Sequence, residues 1–365
     1  MPPIDRRLFQ NFDWTLFSLV AFMLGVGLVN LYSSTFTPTG ISGELRRQLI
    51  SLGIGAVAFV VVVVVDYRHY ERLALPVYLA TAGLLAAMPV LAPVTRGNQS
   101  WLFEGRLQPA EIARLAMILM LARHFQRRPA SEVRRLRDLW RPALIVGVPV
   151  GLILAQRDMG VALLTLLIGG SYVGLMRIRA RAWAAIALLG IAVLLSAWLF
   201  VLAPYQRTRI LDVVDPGRDP LASGYQVNQS RIAIGSGGLW GKGWLEGTQT
   251  QLRFLPTQHS DFAFSVLAEE WGFVGSMTVL GVYALLLTWG LVIGRNSKDA
   301  FGAMLAVGVV AALFWPAVLN IGMVVGLAPV IGVPLPFIAY GGSALVTTLV
   351  AVGLLMNVSL RRYVF

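Results

Sequence analysis

The chain has 365 residues, of which 57% are hydrophobic and 13% are charged. Soluble proteins carry about 25% charged residues, so this composition excludes an ordinary soluble domain. The absence of cysteine excludes disulfides, thiolate catalysis and cysteine-based metal sites. The formal net charge is +12. In a membrane protein, basic residues collect in cytoplasmic loops, so this charge does not indicate nucleic-acid binding.

Apolar runs long enough to cross a bilayer core of about 30 Å predict an all-α, polytopic membrane protein of ten spans in a single domain, 1–365. Basic residues concentrate at the two termini and in the segments after the second, fourth, sixth and eighth spans. This bias places both termini in the cytoplasm. The first run lacks a small-residue cleavage pattern, which indicates a retained helix. The spans are predicted at 13–33, 46–65, 73–93, 108–125, 141–156, 158–176, 182–203, 262–293, 300–325 and 341–360.

One long polar loop, about 205–262, separates the seventh and eighth spans and is extracytoplasmic on this topology. Residues 207–214, before Pro216, and residues 221–234 are predicted to form short amphipathic helices. The glycine-rich stretch GSGGLWGKGWLEG lacks the spacing of a nucleotide-binding loop. It is predicted to make tight turns and to bring its backbone close to a ligand or to the membrane.

Asp261 lies at the far edge of this loop, directly before the eighth span. Aspartate is a favoured helix N-cap, so a structural role is one interpretation. The other is a general base at the membrane edge, where partial desolvation raises the pKa of a carboxyl group. The two roles are compatible.

Three further charged residues lie within or between spans. Glu111 and Arg114 stand at positions i and i+3 on one face of the fourth span. They form either a mutually neutralising packing pair or a site on a substrate pathway, because charges within a span are costly. Asp158, between the fifth and sixth spans, is either a cap or partner of Arg157, or a counter-charge to an intramembrane cation.

The long loop also carries a set of basic side chains. They form either a solvated surface that touches anionic headgroups or, in a subset, a binding site for a diphosphate. We assign Arg209, Lys242 and Arg253 to that subset. The whole set is Arg207, Arg209, Arg218, Arg231, Lys242 and Arg253.

Residues 320–343 combine three prolines with several glycines at membrane depth. One interpretation is a kinked helix followed by an extracellular turn. The other is a re-entrant wall of a substrate cavity, since irregular backbone in a membrane is tolerated only where protein buries it or a cavity borders it.

Several motifs resemble, in order, those of the SEDS family (shape, elongation, division and sporulation). The phrase GTQTQL is more similar to the elongation branch than to the division branch. The resemblance implies the ten-span SEDS fold and an inverting peptidoglycan glycosyltransferase that polymerises lipid II at the outer face of the inner membrane. The motifs are DWTLFSLVAFMLGVGLVNLYSST, NQSWL, QPAEIARL, QRDMGVAL, GTQTQLRFLPTQHSDFAFSVLAEEWGFVG and VGLAPVIGVPLPFIAYGGS.

The resemblance also implies residue roles. The family's essential loop aspartate falls on Asp261, and its acidic residue of the fourth span falls on Glu111. The basic residue three positions later, commonly lysine, is Arg114 here, which keeps the charge but changes the donor geometry. Ser343 is expected to contact substrate, whereas Ala344 departs from the family's second serine.

Structural roles are expected for Trp101, in NQSWL, and Asp158, in QRDMG. The implied partners are lipid II, undecaprenyl-linked glycan, a class B penicillin-binding transpeptidase and other membrane proteins of the elongation machinery. No cofactor is certain, and a divalent cation, Mg²⁺ or Mn²⁺, is an alternative source of positive charge. The competing functions are a flippase for a lipid-linked precursor, which intramembrane charges and broken helices also suit, and a scaffold for the transpeptidase.

Overall fold

The computed structural model describes residues 12–38, 40–93, 98–103, 105–196, 198–199, 204–214 and 223–362. Every regular element in these ranges is helical, as predicted. The α-helices are α1 Trp14–Ser34, α2 Gly43–Val64, α3 Tyr67–Leu91, α4 Pro109–Arg127, α5 Trp140–Ala155, α6 Met159–Gly170, α7 Ala180–Ser196, α8 Pro204–Val214, α9 Ser223–Ser236, α10 Thr248–Gln251, α11 Ala263–Arg295, α12 Ala300–Val324 and α13 Gly342–Arg361.

Helices α1 to α7 and α11 to α13 correspond one to one to the ten predicted spans; most ends agree to within three residues and all agree to within seven. Seven helices in the described part of the chain are long and apolar enough to cross a membrane. Helix α6 continues into a 3₁₀ turn, Ser171–Leu175, and together they form a shorter apolar segment, as does α7. Helices α8 and α9 confirm that both stretches predicted in the long loop are helical, but the apolar side chains of α9 do not concentrate on one face, so its predicted amphipathic character is not confirmed. Pro216, predicted to end the first of them, lies outside the described residues.

The helices differ in how deeply they are buried. In α13, 72% of the membrane-crossing stretch is buried inside the protein, and in α12 the figure is 56%. Only 11% of the corresponding stretch of α2 is buried. Helices α12 and α13 therefore lie at the centre of the bundle, and α2 presents most of its apolar surface outward, where lipid surrounds a membrane protein.

Short polar side chains fix several helix starts by accepting the otherwise unpaired first N–H groups. At α1, the Oδ1 atom of Asp13 accepts from the backbone N of Leu16 at 3.0 Å. The same carboxylate accepts from Trp289 Nε1 at 3.0 Å and from Ser359 Oγ at 2.7 Å. One cap thus joins α1 to α11 and α13. The other aspartate and serine caps are Ser42, Asp66, Asp158 and Asp299.

Helix α11 is interrupted at Gly272, where φ is +66°, a break that the sequence analysis did not predict. The glycine-rich residues 237–243 fill the interruption. They accept from the backbone N atoms of Phe273 and Val274 and donate to the carbonyl oxygens of Glu269 and Glu270, at 2.9–3.1 Å. The break therefore leaves these groups hydrogen-bonded.

Glycine is required at this contact because a Cβ atom on Gly241, whose φ is +83°, would collide with the carbonyl group of Glu270. The close backbone approach predicted for the glycine-rich stretch is therefore real. The partner that the structure shows is helix α11, and the predicted approach to a ligand or the membrane stays a prediction.

Residues 325–341 form no regular helix between α12 and α13. The irregular backbone predicted from the prolines and glycines of 320–343 is therefore confirmed for most of that stretch. The segment is attached to α11 by Tyr283, whose hydroxyl donates to the carbonyl oxygen of Pro336 at 2.7 Å.

Candidate active site

Asp261 lies in the turn that leads into α11. The N-cap of α11 is Phe262, so the structure does not support the helix-cap interpretation of Asp261. The backbone of Asp261 is held on both sides: its N–H donates to Thr257 O at 3.1 Å, and its carbonyl oxygen accepts from Asn320 Nδ2 at 2.8 Å. The residue is partly exposed. Its position is therefore fixed through the main chain while solvent still reaches it.

The irregular segment 325–341 lies directly beside this carboxylate. A Cβ atom built on Gly332 would stand 3.7 Å from Asp261 Oδ2, so the backbone at Gly332 borders the acid. Asn320, which is 1% exposed, donates to Val333 O at 2.8 Å as well as to Asp261 O. One buried amide thus holds the acidic turn and the segment together.

The far end of the segment is attached to the same loop. The backbone N of Tyr340 donates to His259 O at 2.8 Å, and the two rings meet edge to face at 5.6 Å. Burial lowers the pKa of His259 below its usual 6.5, with Glu44 and Asp261 opposing the shift. Gln48 of α2 accepts from Gly341 N at 3.2 Å. These contacts limit movement of the segment relative to Asp261.

A second polar group, on α4 and α13, brings together three predicted residues. Glu111 is 5% exposed, and its Oε1 atom lies 3.7 Å from Arg114 Nη2. Thr347 Oγ1 donates to Glu111 Oε2 at 3.5 Å. Ser343 accepts from the backbone N of Gln108, the N-cap residue of α4, at 3.3 Å. Glu111 and Arg114 therefore form an ion pair whose surroundings include Ser343.

Asp158 belongs to the same polar group. Its Oδ1 atom accepts from Val161 N at 3.2 Å and caps α6, while Oδ2 accepts from Gln108 Nε2 at 3.2 Å. Asp158 also interacts electrostatically with Arg114. The cap and the counter-charge interpretations thus describe one arrangement.

Ile331 connects the two polar regions. A Cβ atom on Gly160, two residues after Asp158, would meet the side chain of Ile331 and stand 2.9 Å from its carbonyl oxygen. Ile331 directly precedes Gly332, which borders Asp261. The start of α6 therefore contacts Ile331, and the turn that carries Asp261 contacts the next residue, Gly332. Asp261 and the Glu111–Arg114 pair thus lie in one region of the molecule.

Two of the loop cations lie along this backbone. Arg209 Nη1 donates to Val330 O at 3.1 Å, and Arg231 Nε donates to Val325 O at 3.0 Å. Arg253 is exposed and belongs to the turn after α10. Arg218 lies outside the described residues. Among the predicted diphosphate ligands, Arg209 thus contacts the backbone two residues before Gly332.

Lys242 occupies a different environment. Its Nζ atom donates to Glu269 Oε1 and to Thr248 Oγ1, each at 2.7 Å. Glu269 is 0% exposed and also accepts from Gln249 N at 2.8 Å and from Thr250 N at 3.1 Å. The Lys242 charge is thus already paired in a buried network that fastens the loop to α11. Its predicted contact with diphosphate would have to compete with that pair.

Trp101 is half-buried and lies in the short segment before α4. Its neighbour Gln99 donates through the backbone to Gln156 O at 3.2 Å, and Leu102 pairs with Leu107. Trp101 therefore lies close to the corner between α5 and α6 that leads to Asp158. The structural role expected for it stays a prediction.

Metal binding and cavities complete the description. Within the described residues, no group of three or more His, Cys, Asp or Glu side chains is arranged to hold a metal ion. A cavity of about 490 Å³ lies between α1 and α11 and is lined by Phe22, Trp240, Trp244 and Glu270, among others, but not by Asp261.

A family model described as a cell cycle protein, FtsW/RodA/SpoVE, matches residues 13–363. The chain belongs to this family. The SEDS resemblance read from the motifs is therefore confirmed.

Individual relatives also match most of the chain. The chain is 40% identical to the peptidoglycan glycosyltransferase MrdB of Escherichia coli (strain K12) over 328 residues, which covers 88% of this chain and 86% of the relative. It is 34% identical to stage V sporulation protein E of Bacillus subtilis (strain 168), over 95% of this chain and 96% of that one.

Solved structures of similar proteins also match nearly the whole chain. A chain of a peptidoglycan synthase complex that coordinates polymerization and crosslinking matches with a TM-score of 0.81 and 34% identity, over 97% of this SEDS chain and 99% of that one. The rod shape determining protein RodA of Thermus thermophilus matches with a TM-score of 0.72 and 30% identity, over 96% and 98%. Its aspartate-to-alanine variant matches with the same TM-score. These matches support the resemblance to the elongation branch.

The sequence analysis missed two residues that organise the site, Asn320 and Glu269. Asn320 is an amide inside an apolar span, a costly placement that usually marks a site, so this signal was present. Glu269 lies in the motif LAEE, but its partners lie 19 to 27 residues earlier in the loop, and no local spacing reveals them.

Proposed function

We propose that this peptidoglycan glycosyltransferase of the SEDS family polymerises lipid II with inversion at the anomeric carbon, using Asp261 as the general base. Relatives that align over most of both chains carry the name peptidoglycan glycosyltransferase, which supports the reaction class. The inverting course and the choice of base are inferences from the site.

The observation that carries the role of Asp261 is its setting. It is a partly exposed carboxylate at a helix start, held by its backbone to Thr257 and Asn320 and bordered by Gly332. A base of this kind needs a fixed position and access to its substrate. Asp261 meets both requirements.

In the proposed step, the 4-hydroxyl of the acceptor N-acetylglucosamine gives its proton to Asp261. The hydroxyl oxygen forms a bond to the anomeric carbon of the donor N-acetylmuramic acid. The bond from that carbon to the diphosphate breaks, and undecaprenyl diphosphate leaves with the electron pair. The leaving group is already an anion, so the step needs positive charge near the diphosphate rather than a general acid.

Arginine supplies that charge in this proposal, because guanidinium groups bind phosphate oxygens in a bidentate way. Arg209, which donates to Val330 O, and Arg114, which pairs with Glu111, are the candidates. Lys242, Arg253 and Ser343 stay predicted substrate contacts. A divalent cation would share the diphosphate oxygens, as Mg²⁺ commonly does, because no three His, Cys, Asp or Glu side chains of the described residues are arranged to hold it.

We also propose that the protein works in cell elongation and rod shape, in the bacterial inner membrane, with its termini in the cytoplasm and a class B penicillin-binding protein as partner. The charge bias of the loops supports this orientation. The similarity to a chain of a peptidoglycan synthase complex supports a transpeptidase partner. Other elongation-complex membrane proteins are further expected partners.

Polymerisation of purified lipid II in detergent micelles tests the reaction. We expect wild-type protein to form glycan chains and to release one undecaprenyl diphosphate per new bond, with β-configured links from α-linked donor. Detergent offers no second compartment, so a flippase would yield no polymer. Absence of polymer, or retention of the α-configuration, would overturn the proposed function.

A further inference from the structure

A second cavity lies at the opposite end of α4 from Glu111. It has a volume of about 470 Å³ and lies between α3, α4 and α5. Arg127, on its rim, is 16 residues from Glu111, which corresponds to about 24 Å along the helix axis at 1.5 Å per residue. This cavity, named here the arginine groove, therefore belongs to the other membrane face from the Glu111–Arg114 pair.

The arginine groove is strongly basic. Arg123 and Arg127 share a helix face at i and i+4, and Arg128, Arg141 and His124 join them from the end of α4 and the start of α5. None of its lining residues is acidic. Elsewhere, by contrast, Arg114 pairs with Glu111 and Arg361 pairs with Asp66. The positive charge of the groove has no acidic counterpart in its wall.

One donor atom among these side chains has no hydrogen-bond partner in the described part of the chain. The Nη1 atom of Arg123 is shut off from solvent, and it makes no hydrogen bond to any residue that the structure describes. A buried unpaired donor is costly, and more so on a charged group. Arg141 lies 5.1 Å from the ring centre of Trp140, which orients its guanidinium over the groove wall. The groove thus presents donors already positioned for an anion.

The remaining wall is apolar. Leu75 of α3, Met120 of α4 and Leu144 and Ile145 of α5 line it. Leu144 is 57% exposed and Leu75 is 38% exposed, although both lie on spanning helices. Such exposure within a span faces lipid. The cavity therefore combines a basic end at the membrane surface with an apolar side that opens toward acyl chains.

A general excess of cytoplasmic arginine explains the charge but not this arrangement. Arg134 and Arg137 follow in the same basic segment, yet both are exposed and lie beside Asp138 rather than in a cavity. In the groove, residues from two helices converge on one cavity with an apolar wall. That convergence is typical of pockets for anionic lipid headgroups.

We propose that the arginine groove is a binding site for an anionic phospholipid whose headgroup carries two phosphates, cardiolipin being the representative. Four guanidinium groups match two phosphates through forked hydrogen bonds, and the apolar wall accommodates the glycerol-linked chains. A nucleotide or an acidic peptide has no acyl chains to pack against that wall. This site is independent of the proposed glycosyl transfer.

The test measures lipid binding to the purified full-length protein by native mass spectrometry in a neutral detergent. Cardiolipin is titrated against wild type, against the double variant Arg123→Gln/Arg127→Gln, and against Arg134→Gln/Arg137→Gln as a control with the same change in charge. With about 1 kcal/mol for each basic residue near the surface, the groove variant should bind cardiolipin about 30-fold more weakly. The control variant should bind within about threefold of wild type.

Equal weakening in both variants would show that the charge acts without a site and would overturn the proposal. Equal affinity of wild type for phosphatidylglycerol and cardiolipin would remove the two-phosphate claim. Loss of undecaprenyl diphosphate binding in the groove variant, with cardiolipin binding unchanged, would identify a lipid carrier as the occupant and would overturn the proposal. If the double variant fails to fold, Arg127→Gln alone, at the exposed end of α4, should still weaken cardiolipin binding about fivefold.

Discussion

Two carboxylates of the same region, Asp261 and Glu269, have opposite surroundings. Glu269 is fully buried and accepts hydrogen bonds from Lys242, Gln249 and Thr250. Asp261 is partly exposed, and its backbone N–H and carbonyl oxygen are both hydrogen-bonded. A buried carboxylate saturated with donors stabilises the fold, whereas an accessible one on a fixed backbone suits proton transfer. The comparison separates a structural acid from a reactive acid eight residues apart.

The largest expected effect is on the reaction. Asp261→Asn keeps the size of the side chain but removes the base, so polymerisation of lipid II should fall by about 10²–10⁴-fold. The free energy of unfolding of Asp261→Asn should differ from that of wild type by less than about 0.5 kcal/mol. Initial rates in micelles and a thermal unfolding curve measure the two quantities. A variant that polymerises at the wild-type rate would erase the distinction between the two acids.

The second effect is on stability. Glu269→Ala leaves the Lys242 ammonium and the backbone donors of Gln249 and Thr250 without their acceptor, so we expect a loss of about 3 kcal/mol in the free energy of unfolding. Glu246→Ala, an exposed acid of the same loop, is the matched control and should cost less than about 0.5 kcal/mol. Equal unfolding temperatures for the two variants would contradict the structural role of Glu269.

The third effect is on the contact between the glycine-rich residues 237–243 and α11. Gly241 and Gly238 both have positive φ, but a Cβ atom would collide with Glu270 only at Gly241 and would meet open space at Gly238. Gly238→Ala should therefore cost about 1 kcal/mol from backbone strain alone, and Gly241→Ala about 1–2 kcal/mol more. Chemical unfolding curves of the two variants measure these losses in the free energy of unfolding. The reverse order would show that the break in α11 does not depend on this contact.

The smallest effect is a pH dependence beside Asp261. Burial lowers the pKa of His259 in the folded protein, so unfolded chains bind the proton more readily. The neutral imidazole therefore contributes stability that is complete above pH 6.5 and is lost as pH falls through the lowered pKa. The unfolding temperature of wild type should decline on acidification below pH 6.5, and that of His259→Gln should decline less. Parallel declines would assign the effect to other groups.

Much of the fold follows from local pattern. Apolar runs predict the ten spans, because each must match the thickness of the bilayer, and the prolines near 329–336 predict the irregular segment before α13. Asp158 at the start of α6 has the local signal of a cap. These features depend on residues close together in sequence.

The remaining features depend on distant partners. The break at Gly272 is stable only because residues 237–243 complete its hydrogen bonds. Lys242 reads as a free loop cation until Glu269 is seen beside it. Asn320 reaches Asp261 across 59 residues. Spacing along the chain does not encode such contacts. The residues of the site were therefore predictable, but the hydrogen bonds and ion pairs between them were not.

Chemical rescue tests most directly whether Asp261 accepts the proton. In Asp261→Ala, the missing carboxylate leaves room beside Gly332, and added formate supplies a small external base. We expect formate to raise the polymerisation rate of Asp261→Ala by about tenfold or more and to leave wild type and Glu269→Ala unchanged. Wild-type activity of Asp261→Ala without formate, or equal stimulation of Glu269→Ala, would contradict the role of Asp261 as the base.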